Sequence, residues 1–159
     1  MECRRVSSVF LGAASLCVVL GVSACKNNDA VLGVVQVVPP PPGSGIPVSL
    51  SGDIQPIFNN NCAFAGCHAG SSPAQNLSLE AGKTFDPNFG LVNVQSLEAP
   101  ALKRVEPGNA GGSYVVHKLE GTQASVGGSG SRMPLGFPPL AGAEIQLIKD
   151  WIDQGAQNN

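Results

Sequence analysis

The most regular pattern of apolar and polar positions lies near the end of the chain, in residues 141–154. Its apolar residues recur at the spacing of one helix face: Ile145, Leu147, Ile148, Trp151 and Ile152. Gly155 follows at once, and a glycine at that place is typical of a helix C-terminus. The pattern predicts an amphipathic helix that buries one face against a core.

A shorter helix is predicted just before Cys62, in the stretch "IQPIFNNN". Ile54, Ile57 and Phe58 fall on one face of this helix. Asp53 precedes it and is the predicted N-cap, because an aspartate there can accept a hydrogen bond from a free backbone N–H.

A third helix is predicted over residues 113–119, ending before Gly121. Residues 71–94 predict loops with short turns, and the "GGSG" of residues 127–130 predicts another loop. The chain contains 20 glycines and 13 prolines, which also favours much irregular structure. The predicted fold class is therefore mostly α, a small helical domain with long irregular loops.

Composition excludes one class of partner. The 159 residues carry a formal net charge of -2 and show no cluster of lysine or arginine. Proteins that bind nucleic acid concentrate such residues on one face or stripe. We therefore expect no nucleic-acid partner, and the length fits one folded domain.

The first 24 residues predict a targeting segment. Arg4 and Arg5 precede an apolar run over residues 9–22, which is short for a membrane span. The run ends in "VSAC", whose small residues before Cys25 resemble the lipobox of bacterial lipoproteins. The resemblance implies a lipoprotein signal peptide at 1–24 and acylation of Cys25. An ordinary secretory signal and an uncleaved anchor are the alternatives.

Residues 25–48 predict a proline-rich tether, because four consecutive prolines favour an extended polyproline II spacer. By the rule of the lipoproteins that the signal resembles, Lys26, directly after Cys25, would favour passage to the outer membrane over retention. The apolar run at 31–38, "VLGVVQVV", fits either an edge strand or a place near the membrane. The folded domain is then expected at 49–157.

Removal of the predicted signal peptide would reduce the number of free cysteines in the chain. If the signal peptide is removed and Cys25 is acylated, as the lipobox resemblance implies, Cys3 and Cys17 leave with the signal and Cys25 carries lipid. Cys62 and Cys67 are then the only two thiols left in the mature chain.

These two thiols stand in "CAFAGCH", where His68 directly follows the second cysteine. A c-type haem attachment site reads Cys-x-x-Cys-His, so this stretch has two residues too many. The four residues between the cysteines are mostly small, and Gly66 can take the positive φ of a tight bend. A Cys62–Cys67 disulfide remains open, and so does a zinc site that adds His117.

Met133 is the only methionine after signal removal, and Pro134 follows it. A methionine opposite a histidine is the axial pair of electron-transfer cytochromes. Proline favours an extended backbone in the residue before it, which suits a loop that presents one side chain. Filling a gap in the core is the alternative role for this methionine, and His117 is the rival distal ligand.

Four stretches carry a family resemblance in this order: "DIQPIFNNNCAFAGCHAG", "RVEPGNAGGSYVVHKLEG", "SRMPLGFPPL" and "AEIQLIKDWIDQGA". Together they resemble the class I type c cytochrome domains of bacterial lipoproteins, which are related to planctomycete-type cytochrome c domains. The resemblance spans about residues 53–156 and implies a small cytochrome c-like helical domain with one haem c. It implies covalent haem attachment at Cys62 and Cys67, with His68 as proximal and Met133 as distal iron ligand.

The resemblance also implies a biological role. We expect an electron carrier rather than an enzyme, lipid-anchored at Cys25 in the bacterial cell envelope and serving redox partner proteins there. The outer membrane is the expected location, facing the periplasm or the cell surface. A non-haem lipoprotein module closed by a Cys62–Cys67 disulfide is the alternative, and a haem sensor or enzyme in which a ligand displaces Met133 is a third possibility.

Two arginines are candidates for the haem propionates. Arg104 and Arg132 could each bind a carboxylate through their guanidinium groups, although plain surface charge is the expected role of both. Trp151 and Tyr114 are expected to pack against neighbouring helices.

Overall fold

The computed structural model of the protein describes residues 45–159. A π-helical turn, Leu50–Ile54, runs directly into helix α1, Gln55–Asn61. Helix α2 is Tyr114–Glu120 and helix α3 is Gly142–Asp153. The predicted signal peptide, the predicted lipidation site Cys25 and the apolar run at 31–38 lie outside the described residues.

The rest of the domain is irregular chain with short turns. Three single 3₁₀ turns interrupt it, at Ala74–Asn76, Ala110–Gly112 and Gln123–Val126. Within residues 45–159, β-structure is limited to isolated bridges such as Val92 with Val105. The prediction of a small, mostly α domain with long loops is confirmed. Within the same residues, no helix has both the length and the apolar character needed to cross a membrane.

The predicted start of the first helix is wrong by several residues. The helical chain begins after Ser49, whose Oγ accepts a hydrogen bond from the Gly52 N–H at 2.9 Å. Asp53 lies inside the first turn, and its Oδ2 accepts from the Ser49 N–H at 2.8 Å. The two side chains therefore satisfy free N–H groups at the same helix end, as in a capping box.

Pro56 explains the change from the π-helical turn to α1. Proline has no N–H, and its ring crowds the carbonyl four residues earlier, so a regular α-helical ladder cannot run through it. The turn before it is widened, and Ile54 N–H donates to the Ser49 carbonyl at 3.2 Å. The buried face of the first helix is nonetheless the predicted one, since Ile54, Ile57 and Phe58 are all buried.

The other two helices match their predicted positions. Ser113 is the N-cap of α2, and Gly121 ends it with φ of 76°. Helix α3 ends before Gly155, and its predicted apolar face forms the centre of the core, where Ile148, Trp151 and Ile152 are fully buried. Ile145 and Leu147 complete this face at its edge.

The packed region extends slightly beyond 49–157 at both ends. Val48 belongs to the hydrophobic core, and its N–H donates to Gln154 Oε1 at 2.8 Å. Asn159 Oδ1 accepts from the Leu50 N–H at 2.9 Å. The two ends of the described chain are thus joined beside the start of the first helix.

We expect Gly121→Ala to lower the free energy of unfolding by about 1–2 kcal/mol, because a residue with Cβ is disfavoured in the left-handed conformation by that amount. The added Cβ would also lie 3.1 Å from Arg132 Cδ. Urea unfolding measures the change. Gly142→Ala at the first position of α3 is the control, since its Cβ would meet nothing within 4 Å. Equal destabilisation by both variants would contradict the prediction.

Candidate functional site

One cavity occupies the space between α1, α2, α3 and the loops that join them. Its volume is about 370 Å³, within the range of about 300–1,000 Å³ that cofactor sites occupy. We call it the main cavity. Its wall is largely apolar and includes Phe58, Leu79, Leu91, Leu119, Leu140 and Ile148.

The structure brings the predicted haem-binding residues together at this place. Cys62, His68 and Met133 all line the main cavity. The same three residues also line a smaller adjoining cavity of about 100 Å³, and Cys67 is part of the wall of that one. We call the second space the small cavity. Met133 and His68 therefore line the same space, although they are 65 positions apart in the sequence.

The loop between the cysteines folds back onto the helix end that it leaves. Cys62 is the C-cap of α1, and its carbonyl accepts from the N–H groups of Phe64 at 2.9 Å and His68 at 3.3 Å. Cys67 N–H donates to the Phe64 carbonyl at 2.9 Å, and Gly66 supplies the bend with φ of 82°. The two additional residues are thus taken up in a compact turn, which returns His68 to the end of α1.

His68 has the geometry of a metal-binding imidazole. Its Nδ1 lies 3.1 Å from the Leu77 carbonyl oxygen, which can only accept, so Nδ1 carries the proton. The lone pair is therefore on Nε2, and ligating histidines commonly hold their other nitrogen in this way. Burial lowers the pKa of the ring, the carbonyls of Leu77 and Ala74 raise it, and the charges of Arg104 and Lys118 lower it further. The net lowering favours the neutral ring that binds metals.

Met133 is held in place by α2. Its N–H donates to the Lys118 carbonyl at 2.8 Å, and its half-buried side chain packs against the hydrophobic core. Pro134 follows across a cis peptide bond. Met133 thus lines both cavities from a loop between α2 and α3.

His117 lies on α2, outside the lining of both cavities. Its Nε2 lies 3.1 Å from the Gly111 carbonyl, so Nε2 donates, and its Nδ1 accepts from the Thr122 hydroxyl at 2.9 Å. Both ring nitrogens therefore have partners, which favours Met133 over His117 as the residue opposite His68. Within residues 45–159, no three His, Cys, Asp or Glu side chains converge as a metal site, so the four zinc candidates do not come together.

The two cysteines are free thiols in the structure. Burial raises the pKa of Cys62 to about 11, and the charges of Cys67 and Glu144 add to the effect. Cys62 is consequently a neutral thiol at neutral pH, and a neutral thiol is a poor nucleophile for disulfide exchange.

The main cavity also has a charged edge that the sequence reading did not identify. Lys118 Nζ lies 2.8 Å from Glu98 Oε2, and these side chains are only 8% and 17% exposed. Lys118 Nζ also lies 5.8 Å from the centre of the Tyr114 ring, whose hydroxyl donates to the Ser129 carbonyl. The sequence could have indicated that Lys118 faces the cavity, because Lys118 lies three and four positions after Val115 and Tyr114, which also line it and share its helix face. Nothing in the sequence indicated that Glu98 would be its partner.

The two candidate arginines differ. Arg104 is only 5% exposed and lines the main cavity, so the expectation of plain surface charge is wrong for this residue. Its guanidinium donates to three backbone carbonyls. Arg132 lies against Gly121 and lines neither cavity.

Comparison of the chain with protein-family models, with curated proteins and with solved structures gives no match. The function is therefore inferred from the site itself.

Proposed function

We propose that this protein is a monohaem c-type cytochrome lipoprotein that carries single electrons in the bacterial cell envelope. One observation carries the proposal: Cys62, His68 and Met133 share the wall of an apolar cavity, and Cys67 lies beside it. Attachment thiols, a neutral imidazole and a thioether are the protein groups of a His/Met c-type haem site.

The residues present fit one haem. Cys62 and Cys67 would hold it covalently, and His68 Nε2 and Met133 Sδ would ligate its iron. The apolar wall excludes water, and a dry surrounding disfavours extra charge at the metal. Bound there, haem supplies a one-electron couple.

The ligand set favours electron transfer over substrate conversion. With His68 and Met133 both engaged, no open coordination position is left for oxygen or a substrate. Glu98 and Lys118, a charged pair at the edge of the main cavity, are engaged with each other at 2.8 Å. The chain would thus keep the site dry and its two ligands fixed, which is what a carrier of single electrons needs.

The proposed location rests on the sequence. A lipid on Cys25 would anchor the chain in the membrane, and the proline-rich spacer would connect this anchor to the folded domain. The outer membrane is the expected location. Redox proteins of the envelope would be its partners.

Covalent haem provides the decisive experiment. The full chain is expressed in a bacterium that matures c-type cytochromes, denatured, separated by electrophoresis and stained for haem peroxidase activity. We expect a stained band at the size of the mature chain, because thioether-bound haem survives denaturation. A colourless band with Cys62 and Cys67 joined in a disulfide would refute the proposal. Carbon monoxide binding to the reduced native protein would instead indicate a sensor or enzyme with a displaceable ligand.

A further inference from the structure

Arg104 forms an unusual set of contacts for a buried cation. Its Nη1 donates to the carbonyls of Gly90 at 2.6 Å and Asn76 at 3.2 Å, and its Nη2 donates to the Gln75 carbonyl at 2.7 Å. The backbone of Arg104 is itself fixed, because its N–H donates to the Val94 carbonyl at 2.7 Å. The guanidinium therefore joins two separate loops through their main chains.

The loop on one side of this clamp has a disfavoured backbone. Gln75 and Asn76 are consecutive non-glycine residues with φ of 54° and 52°. Side-chain-bearing residues rarely occupy this left-handed region, and two in succession need support from their surroundings. Both carbonyls of the pair accept hydrogen bonds from Arg104.

This turn is connected directly to His68. The residue after the turn, Leu77, provides the carbonyl that fixes His68 Nδ1 at 3.1 Å. On the other side, Ala74 N–H donates to the Cys67 carbonyl at 2.7 Å. The position of the turn therefore decides where the acceptor of the imidazole N–H lies.

We propose that Arg104 is a positioning residue for His68, acting through the left-handed turn at Gln75 and Asn76. By holding the two carbonyls, Arg104 places the Leu77 oxygen where it fixes the ring orientation and the tautomer of His68. A firm hydrogen bond at Nδ1 makes the imidazole a stronger electron donor to a bound metal and favours its oxidised state. The inference rests on the proposed haem function.

The test uses Arg104→Lys in the haem-loaded protein. Lysine keeps the positive charge but has one nitrogen in place of the planar fork, so it cannot hold three carbonyls. We expect a more positive reduction potential. We also expect the His68 Nδ1 proton to exchange with solvent about tenfold faster, because the loss of one hydrogen bond corresponds to roughly that factor. Arg132→Lys is the matched control and leaves both quantities unchanged.

Glycine substitutions separate positioning from general damage. Glycine accepts positive φ without a steric penalty. Adding Gln75→Gly and Asn76→Gly to Arg104→Lys should therefore return the potential and the exchange rate toward their wild-type values. An unchanged potential and exchange rate in Arg104→Lys, or a shift that the glycines leave in place, would overturn the positioning role.

A second measurement does not depend on haem. Nitrogen-15 NMR of the haem-free protein reports which ring nitrogen of His68 carries the proton. We expect the Nδ1-protonated tautomer in the wild type and a mixture in Arg104→Lys. Identical tautomers in both proteins would overturn the positioning role, whereas a wild-type chain without covalent haem overturns the proposed function alone.

Discussion

Replacing Cys62 and Cys67 together by serine is expected to abolish covalent haem attachment completely. Each thioether needs a sulfur atom, and the hydroxyl of serine does not form the bond. Serine has nearly the size of cysteine, so the turn that links Cys62 to His68 through its carbonyl should persist. The measurement is haem staining after denaturation, in which the variant band should be colourless while the wild-type band is stained.

Single substitutions extend this test. Cys62 lines both cavities, whereas Cys67 lines only the small one. Each single variant should retain one thioether and show the absorption shift of a haem with one unreacted vinyl group. Ala65→Ser is the control within the same loop, because Ala65 is exposed, lines neither cavity and provides no sulfur. A stained band from the double variant would contradict the attachment site.

The helices were predictable because their signals are local. The spacing of Ile148, Trp151 and Ile152 is a property of one short segment, and the structure buries all three. Gly121 likewise ends α2 by its own backbone preference. The start of the first helix was misplaced because two residues, Ser49 and Asp53, could each cap it. The structure uses both, with Ser49 outside the helix and Asp53 in its first turn.

The candidate site was also predictable only in part: its motif residues were identifiable in the sequence, whereas the contacts around them were not. Cys62, Cys67 and His68 are neighbours in sequence, and Met133 is the one methionine outside the predicted signal peptide. The contacts of Arg104 were not predictable, because its acceptors are backbone carbonyls up to 29 residues away. Main-chain acceptors leave no trace in side-chain identity. The pairing of Glu98 with Lys118 joins two side chains, but it was not predictable either, because it depends on where the loop that carries Glu98 lies against α2.

Replacing Met133 by leucine is expected to remove the proposed thioether ligand and leave the fold intact. Leucine has a similar volume and keeps the packing against the core, but it lacks the sulfur that would bind the iron. We expect the weak near-infrared band of thioether ligation to disappear. The reduction potential should fall, since methionine raises it relative to other ligands. The reduced variant should bind carbon monoxide stoichiometrically, whereas the wild type binds none.

His117→Ala is the matched control for the distal position. Its ring is bound to Gly111 and Thr122 and lies outside both cavities, so its loss should leave the near-infrared band and the potential unchanged. A band that persists in Met133→Leu, or one that vanishes in His117→Ala, would assign the distal position to another residue. Because a ligand must face the shared cavity and Met133 does so from a loop tied to the Lys118 carbonyl, we expect the methionine variant alone to change the spectrum.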